Sequence, residues 1–300
     1  MATKFQKSRV RARVRDKVPL TAPKILTLNK KRVKTLCSAL NFSYLCRIKK
    51  KKQVNLVIDI GNTCAKLVCF DGGKVVEEQR VDKGEEGLLD EFCRKYRFER
   101  GIVSAVAELS EEFSAKIAAL PFPMLKFESG VTPVPIVNKY RTPKTLGTDR
   151  LAAAVGAAMQ NPGRDILIID VGTCITYDLV NARGEYLGGN ISPGPTIRFK
   201  ALHKFTARLP FVDREGVNPL LGNTTITAIR SGVIRGVKYE IEGYIRRFSE
   251  KYPNLYVYLT GGVHLGLHFS KNFPNFAPQT DDYLVPKGLN RILEYNEKNI

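Results

Sequence analysis

The sequence predicts an α/β protein built from two similar halves that face each other across a cleft. Three observations carry this reading. First, an apolar, β-branched run that closes on Asp-x-Gly and a small hydroxyl residue occurs twice, within Asn55–Phe70 and Ile166–Val180. Second, each copy is followed by turn residues, another strand signal and then segments with helical three-and-four spacing. Third, a Pro-Gly break at Asn161-Pro162-Gly163 separates the copies.

In each copy the first apolar run reads as a strand, the Gly-bearing turn as a hairpin tip and the second run as the returning strand. Asp71-Gly72-Gly73 leads into a third strand at Lys74–Val81, and Asn181 to Gly184 leads into one at Glu185–Gly189. Short apolar strands are predicted at Gly101–Val106 and Leu255–Leu259. Helical spacing marks Gly87–Tyr96, Glu111–Leu120, Thr196–Phe205, Thr224–Lys251 and Tyr283–Glu297, and the Ala-rich run Thr148–Met159 is strongly helical by propensity. Ser110 and Thr224 suit the N-cap position. The long helix from Thr224 has enough apolar residues to lie on its own sheet or to meet a partner. The halves are expected to span 54–162 and 163–300.

At 300 residues, 43% apolar and 26% charged, the chain has the composition of an ordinary globular protein. It has no run of 18 apolar residues, so no membrane-spanning helix is predicted, and no secretory signal pattern is visible. The net charge of +19 suggests nucleic acid until its distribution is examined. Residues 1–52 hold 17 Lys or Arg against the single acid Asp16, a charge of +16, which leaves the other 248 residues at +3. The body is therefore not expected to bind nucleic acid. The basic segment 1–53 lacks periodicity and repels itself, so a disordered extension is expected. It reads as a tail for polyanions, as an Arg-rich targeting segment, or as the product of a start site upstream of the true one. Synthesis from near Val54 is the favoured reading.

Cys37, Cys46, Cys64, Cys69, Cys93 and Cys174 form no Cys-x-x-Cys pair and read as buried thiols of a reducing, cytoplasmic compartment. His264 and His268 have helical spacing but no evident third metal ligand.

The Asp-x-Gly turns suit nucleotide phosphates. Glycine lets the backbone approach an anion, successive N–H groups form an anion nest, the Thr hydroxyl adds a donor and the strand-end Asp can hold Mg²⁺. Lys66 lies on the returning strand, within reach of a phosphate. Two such hairpins, with Gly261-Gly262 after a later strand, could clamp a triphosphate from both sides. No P-loop motif is present.

At this point the sequence resembles a known family, the type III pantothenate kinases of the acetate and sugar kinase/Hsp70/actin superfamily. The matching stretches run from Asp59 to Lys66, Gly147-Thr148-Asp149-Arg150, Asp170-Val-Gly-Thr173, Gly188 to Gly194, and Thr225 before Ala228-Ile229. They occur in the family's order across nearly all of residues 54–300. The basic N-terminal segment has no counterpart in the family pattern. The second turn reads Asp-Val-Gly-Thr where Asp-Ala-Gly-Thr is more usual, which leaves its Asp and Thr in place.

The resemblance implies two duplicated actin/hexokinase-like, ribonuclease H-like halves with ATP in the cleft between them. It implies that ATP, with Mg²⁺, phosphorylates the primary hydroxyl of pantothenate, the first step to coenzyme A. Asp149 would be the general base, and Arg150 would bind the pantothenate carboxylate with its planar fork. Gly147, Thr148, Tyr140 and Thr225 would be further substrate contacts. Asp59, Gly61, Asn62, Thr63, Lys66 and Thr173 would serve ATP, with Asp59 also toward Mg²⁺, and Asp170 would hold a monovalent cation, K⁺ or NH₄⁺. A homodimer is implied too. Two alternatives stay open: another small-molecule enzyme of the superfamily, such as a sugar kinase or polyphosphate phosphatase, and a non-catalytic nucleotide-binding regulator.

Overall fold

A computed structural model describes residues 53–262 and 278–297. The expectations for the basic segment before Gln53, for Cys37 and Cys46, and for His264 and His268 fall outside the described residues. The predicted elements appear close to their expected positions, and three short strands that the sequence did not signal join them. β1 (Gln53–Ile60), β2 (Ala65–Asp71) and β3 (Lys74–Val81) form the first meander, followed by α1 (Gly87–Lys95), β4 (Arg97–Ala105), α2 (Glu111–Ala118), β5 (Met124–Lys126) and β6 (Val137–Asn138). A 3₁₀ turn at Pro143–Thr145 precedes α3 (Thr148–Gln160). The second meander is β7 (Ile166–Val171), β8 (Cys174–Val180) and β9 (Glu185–Pro193). It is followed by α4 (Pro195–Lys204), α5 (Thr225–Lys251), β10 (Tyr256–Thr260), β11 (Gln279–Thr280) and α6 (Leu284–Tyr295). Among the described residues, no helix is long and apolar enough to cross a membrane.

The duplication extends to strand order and direction. The first sheet runs β3-β2-β1-β4-β5 and the second β9-β8-β7-β10-β11, with β6 added beyond β9. In both, the first three strands of the repeat are antiparallel neighbours and the last two join in parallel. This is the doubled actin/hexokinase-like architecture the motifs predict. The sheets do not divide cleanly at Asn161–Gly163: β6 precedes that break yet pairs with β9 through Val137–Glu185 and Asn138–Tyr186.

Alternation decides which layer each strand residue joins. Leu56, Ile58 and Ile60 of β1 pack with Leu89, Phe92, Phe113 and Ile117 of α1 and α2 on the outer face of the first sheet. Leu167, Ile169 and Val171 of β7 pack with Val237, Ile241 and Ile245 of α5 on the outer face of the second. The long helix therefore lies on its own sheet along that stretch. Thr224 caps it through a capping box, with Thr227 reciprocating, and Ser110 caps α2 by accepting from the Phe113 N–H.

Between the two sheets lies one shared layer, α3 and α6. Val57, Phe70 and Ile102 from one sheet and Ile166, Ile168 and Val180 from the other enclose the alanines of α3 and Leu289, Ile292 and Leu293 of α6. The helices touch backbone to backbone. A Cβ on Gly288 would lie 1.8 Å from the Ala152 carbonyl oxygen, and one on Gly156 2.3 Å from that of Leu284. Gly288→Ala is thus expected to destabilise the protein by about 1–3 kcal/mol, as overpacking does, and thermal unfolding will show it as a lower Tm. Buried Asn55 ties the same layer to the first sheet by donating to Asn290, which itself donates to the Gly72 carbonyl.

Candidate active site

Each Asp-x-Gly turn is closed by a matching bond, Gly61 N–H to the Cys64 carbonyl and Gly172 N–H to that of Cys174. Asp59 and Asp170 therefore occupy equivalent ends of β1 and β7, and Asn62, Thr63 and Thr173 are exposed at the tips. Lys66 stands opposite Asp59 in the β1–β2 register. Gly261, at the end of β10, approaches the second turn so closely that a Cβ would lie 2.5 Å from Asp170 Oδ1. Its φ of +106° is itself open only to glycine.

The head of α3 points a third carboxylate at this pair. Gly147 precedes the helix, Thr148 begins it, and Asp149 turns back to accept from the Arg150 N–H at 2.8 Å. Thr148 Oγ1 accepts from Ser104 of β4, the residue beside Asp59 in the sheet. Burial pushes the Asp59 carboxyl up to about 7, aided by the charges of Asp149 and Asp170 and opposed by Lys66. Asp170 also rises to about 7, first through burial and then through Asp149. Asp149 is raised by burial as well, against the pull of the Arg150 N–H. The structure thus brings Asp59, Asp149, Asp170 and Lys66 into one electrostatic cluster.

These shifts have a stability consequence. Both folded-state values lie above the ordinary 3.8. The stability they contribute is full below pH 3.8 and is lost as pH rises through about 7. Asp170→Asn is expected to raise the Tm of the ligand-free protein at pH 8, with the gap to the parent closing toward pH 5.

Arg150 occupies a different setting from the one its motif suggests. It is buried, and its Nε and Nη2 donate to Asp178 of β8 at 2.6–3.2 Å. The Tyr186 hydroxyl adds a third donor to the same carboxylate at 2.6 Å. The Tyr140 ring lies 5.9 Å from the guanidinium carbon and 6.1 Å from the Tyr186 ring. The expected free fork is therefore largely engaged by the protein itself, because a buried guanidinium requires a counter-charge. Asp178 is the partner that motif reading missed; its Thr-x-Asp setting in an apolar strand carries no local signal.

Thr225 belongs to a different element, α5. It is exposed on the first turn of α5, beside Thr224 and Ile226. In the segment that precedes it, Phe205, Phe211, Val217, Leu220 and Leu221 are also exposed, Leu221 to 85%. A cavity of about 1020 Å³ runs past Phe122, Met124 and Phe127 and includes Gly147 and Thr148 of the predicted site. The thiols are only partly as expected: Cys69 is buried, Cys64 and Cys93 are half-buried, and Cys174 is exposed because it sits on the second hairpin tip; all four are unpaired. Among the described residues no three His, Cys, Asp or Glu side chains converge to hold a metal by themselves. Strand-end carboxylates such as Asp59 instead have the donor chemistry that fits Mg²⁺, which takes one or two carboxylates and completes its shell with phosphate oxygens and water.

Comparison with known proteins identifies similar chains. The family model described as Type III pantothenate kinase matches residues 55–247. The Type III pantothenate kinase of Phocaeicola vulgatus is 49% identical over 245 residues, 82% of this chain and 100% of that protein. That of Bacteroides fragilis is 49% identical over 247 residues, again 82% and 100%. Among solved structures, a Campylobacter jejuni protein assigned to the Baf family of transcriptional activators shares the fold, with a TM-score of 0.51 at 22% identity over 81% of this chain and 99% of that one. A family match over more than half the chain, and relatives covered end to end, place this chain in the type III pantothenate kinase family.

Proposed function

We propose that this enzyme transfers the γ-phosphoryl group of ATP to the primary hydroxyl of pantothenate, giving 4′-phosphopantothenate, the first step toward coenzyme A. The observation that carries the reading is the convergence of Asp149, at the head of α3, with Asp59, Asp170 and Lys66 from the two duplicated hairpins. Such a cluster would suit an in-line transfer, which needs one proton acceptor and phosphate clamps.

In this reading the Asp149 carboxylate accepts the hydroxyl proton as the alkoxide oxygen attacks the γ-phosphorus. The bond from that phosphorus to the bridging oxygen breaks, and ADP leaves. The raised affinity of Asp149 for a proton suits the role. Gly61, Asn62, Thr63 and Thr173 present backbone and hydroxyl donors to phosphate, and Lys66 adds a positive charge. Asp59 would hold Mg²⁺, which when bound neutralises charge on the β- and γ-phosphates. Asp170 would face a monovalent cation, K⁺ or NH₄⁺, and the raised pKa of this carboxyl is consistent with a group that gains from a nearby cation. Gly147 and Thr148 would flank the acceptor. Arg150, held in place by Asp178, would offer its charge to the pantothenate carboxylate with Tyr140 alongside.

The same reading carries a homodimer. Support comes from the run of exposed apolar side chains in the segment between α4 and α5, since clustered exposed apolar surface marks interfaces. A second copy seated there could bring exposed Thr225 into a substrate site shared between subunits. A cytoplasmic location goes with the reading, supported by the four unpaired thiols.

The test is ADP release from the purified protein with Mg-ATP, with and without pantothenate, in potassium and in sodium buffer. Pantothenate-dependent release is expected, faster in potassium. Release that is blind to pantothenate, or absent from a folded ATP-binding protein, overturns the reading in favour of another acceptor or a regulator.

A further inference from the structure

We propose that Glu240, at the middle of α5, is a positioning residue for phosphoryl transfer, fixing the strand end Ser192–Gly194 that grips the Asp170–Thr173 hairpin tip. This inference rests on the kinase reading above. It starts from a polar network on the side of the second sheet away from the shared helix layer. Glu240 Oε1 accepts from the Tyr177 hydroxyl at 2.8 Å and from Ser192 Oγ at 2.5 Å. Its other oxygen accepts from Arg198 of α4. Arg198 spans the same segment, donating through Nε to the Pro193 carbonyl at 2.7 Å. One carboxylate on α5 therefore joins β8, the end of β9 and the first turns of α4.

The held segment lies directly on the hairpin. Gly194 donates its N–H to the Thr173 carbonyl at 3.0 Å. The approach is so close that a Cβ on Gly194 would lie 2.3 Å from the Gly172 carbonyl oxygen and 2.5 Å from that of Thr173. Register repeats the link, with Pro193 opposite Cys174 and Ser192 opposite Ile175. Displacing Ser192–Gly194 would therefore displace the tip whose donors face the phosphates. Burial alone would raise the Glu240 pKa, but hydrogen bonds from Arg198, Ser192 and Tyr177 hold it below the usual carboxylate range, so the acceptor is ionised. The ring of Tyr177 is pinned in turn, stacked on Tyr244 at 3.8 Å.

Glu240→Gln keeps the shape but removes the charge and sets an amide N–H₂ against either the two hydroxyls or the guanidinium, since these donors meet different oxygens. Steady-state kinetics on the full chain should show the KM for ATP raised roughly ten- to hundredfold, the weight of a charge-assisted hydrogen bond. The KM for pantothenate should stay within about twofold. Glu240→Asp should recover part of the loss, and Tyr177→Phe, which retains the buried ring, should shift the ATP KM in the same direction by less. In a Thr173→Ala background the Glu240→Gln effect should shrink, because both act on the same contact. A purely structural Glu240 would lower Tm and active fraction while leaving both KM values at the parent's, and that outcome overturns the proposal. So does a full Glu240→Gln effect in the Thr173→Ala background. If the parent enzyme ignores pantothenate, the function reading fails by itself, while direct ATP titration of the same variants still decides the role of Glu240.

Discussion

Asp149→Asn is expected to lower turnover by about 10²–10⁴-fold, the range for removing a general base, with ATP affinity and fold retained. The amide is isosteric, and its oxygen can still accept from the Arg150 N–H, so α3 keeps its first-turn contact. What it cannot do is take the proton of the attacking hydroxyl. The two hairpins do not depend on Asp149 for their closing bonds, Gly61 to Cys64 and Gly172 to Cys174. ATP titration should therefore give an affinity at or slightly above the parent's, since one negative charge leaves a cluster that already holds Asp59 and Asp170. Turnover is read as ADP release at saturating pantothenate. A variant that still turns over within a few-fold of the parent would remove Asp149 from the role.

Asp178→Ala is expected to destabilise the protein by about 3–5 kcal/mol, because it leaves a buried guanidinium without its counter-charge. Arg150 is 6% exposed and the Asp178 side chain 1%, so water cannot take over the lost bonds. The Tyr186 hydroxyl loses its acceptor in the same stroke. For a body of this size each kcal/mol moves Tm by about 2–4 °C, so a fall of roughly 6–20 °C in thermal unfolding is expected. Among molecules that stay folded, Arg150 is no longer held next to Tyr140, and the KM for pantothenate should rise while that for ATP changes little. A Tm within about 2 °C of the parent's would mean that the pair contributes far less than its burial implies.

The hairpins were legible because their signal is doubled and local: a β-branched run, Asp-x-Gly, a hydroxyl residue and a returning run. The same holds for Thr224, whose cap chemistry sits next to a helix of 27 residues. β5, β6 and β11, at two or three residues each, are too short for alternation to register. β4 begins at Arg97, four residues before its apolar run, because only Phe98 in that stretch faces a core. In the site, Asp59, Lys66, Asp149 and Asp170 follow from motif and strand end. Asp178 and Glu240 do not, because their partners come from elsewhere: Arg150 is 28 residues from Asp178, and Tyr177 63 from Glu240. Sequence shows a charged residue in a strand or helix, and only the fold shows what it holds.

The bare-backbone meeting of Gly156 and Gly288 makes the two repeats interdependent despite their matching blueprints. A chain nicked at Asn161–Gly163 would leave α3 with one fragment and α6 with the other. The first fragment would bare Val57, Phe70 and Ile102, and the second Ile166, Ile168 and Val180. Neither piece would own a closed interior, so each would behave as the obligate subunit of a heterodimer, recovered in company and lost alone. The repeat is thus a record of descent in its strands and a single cooperative body in its middle layer.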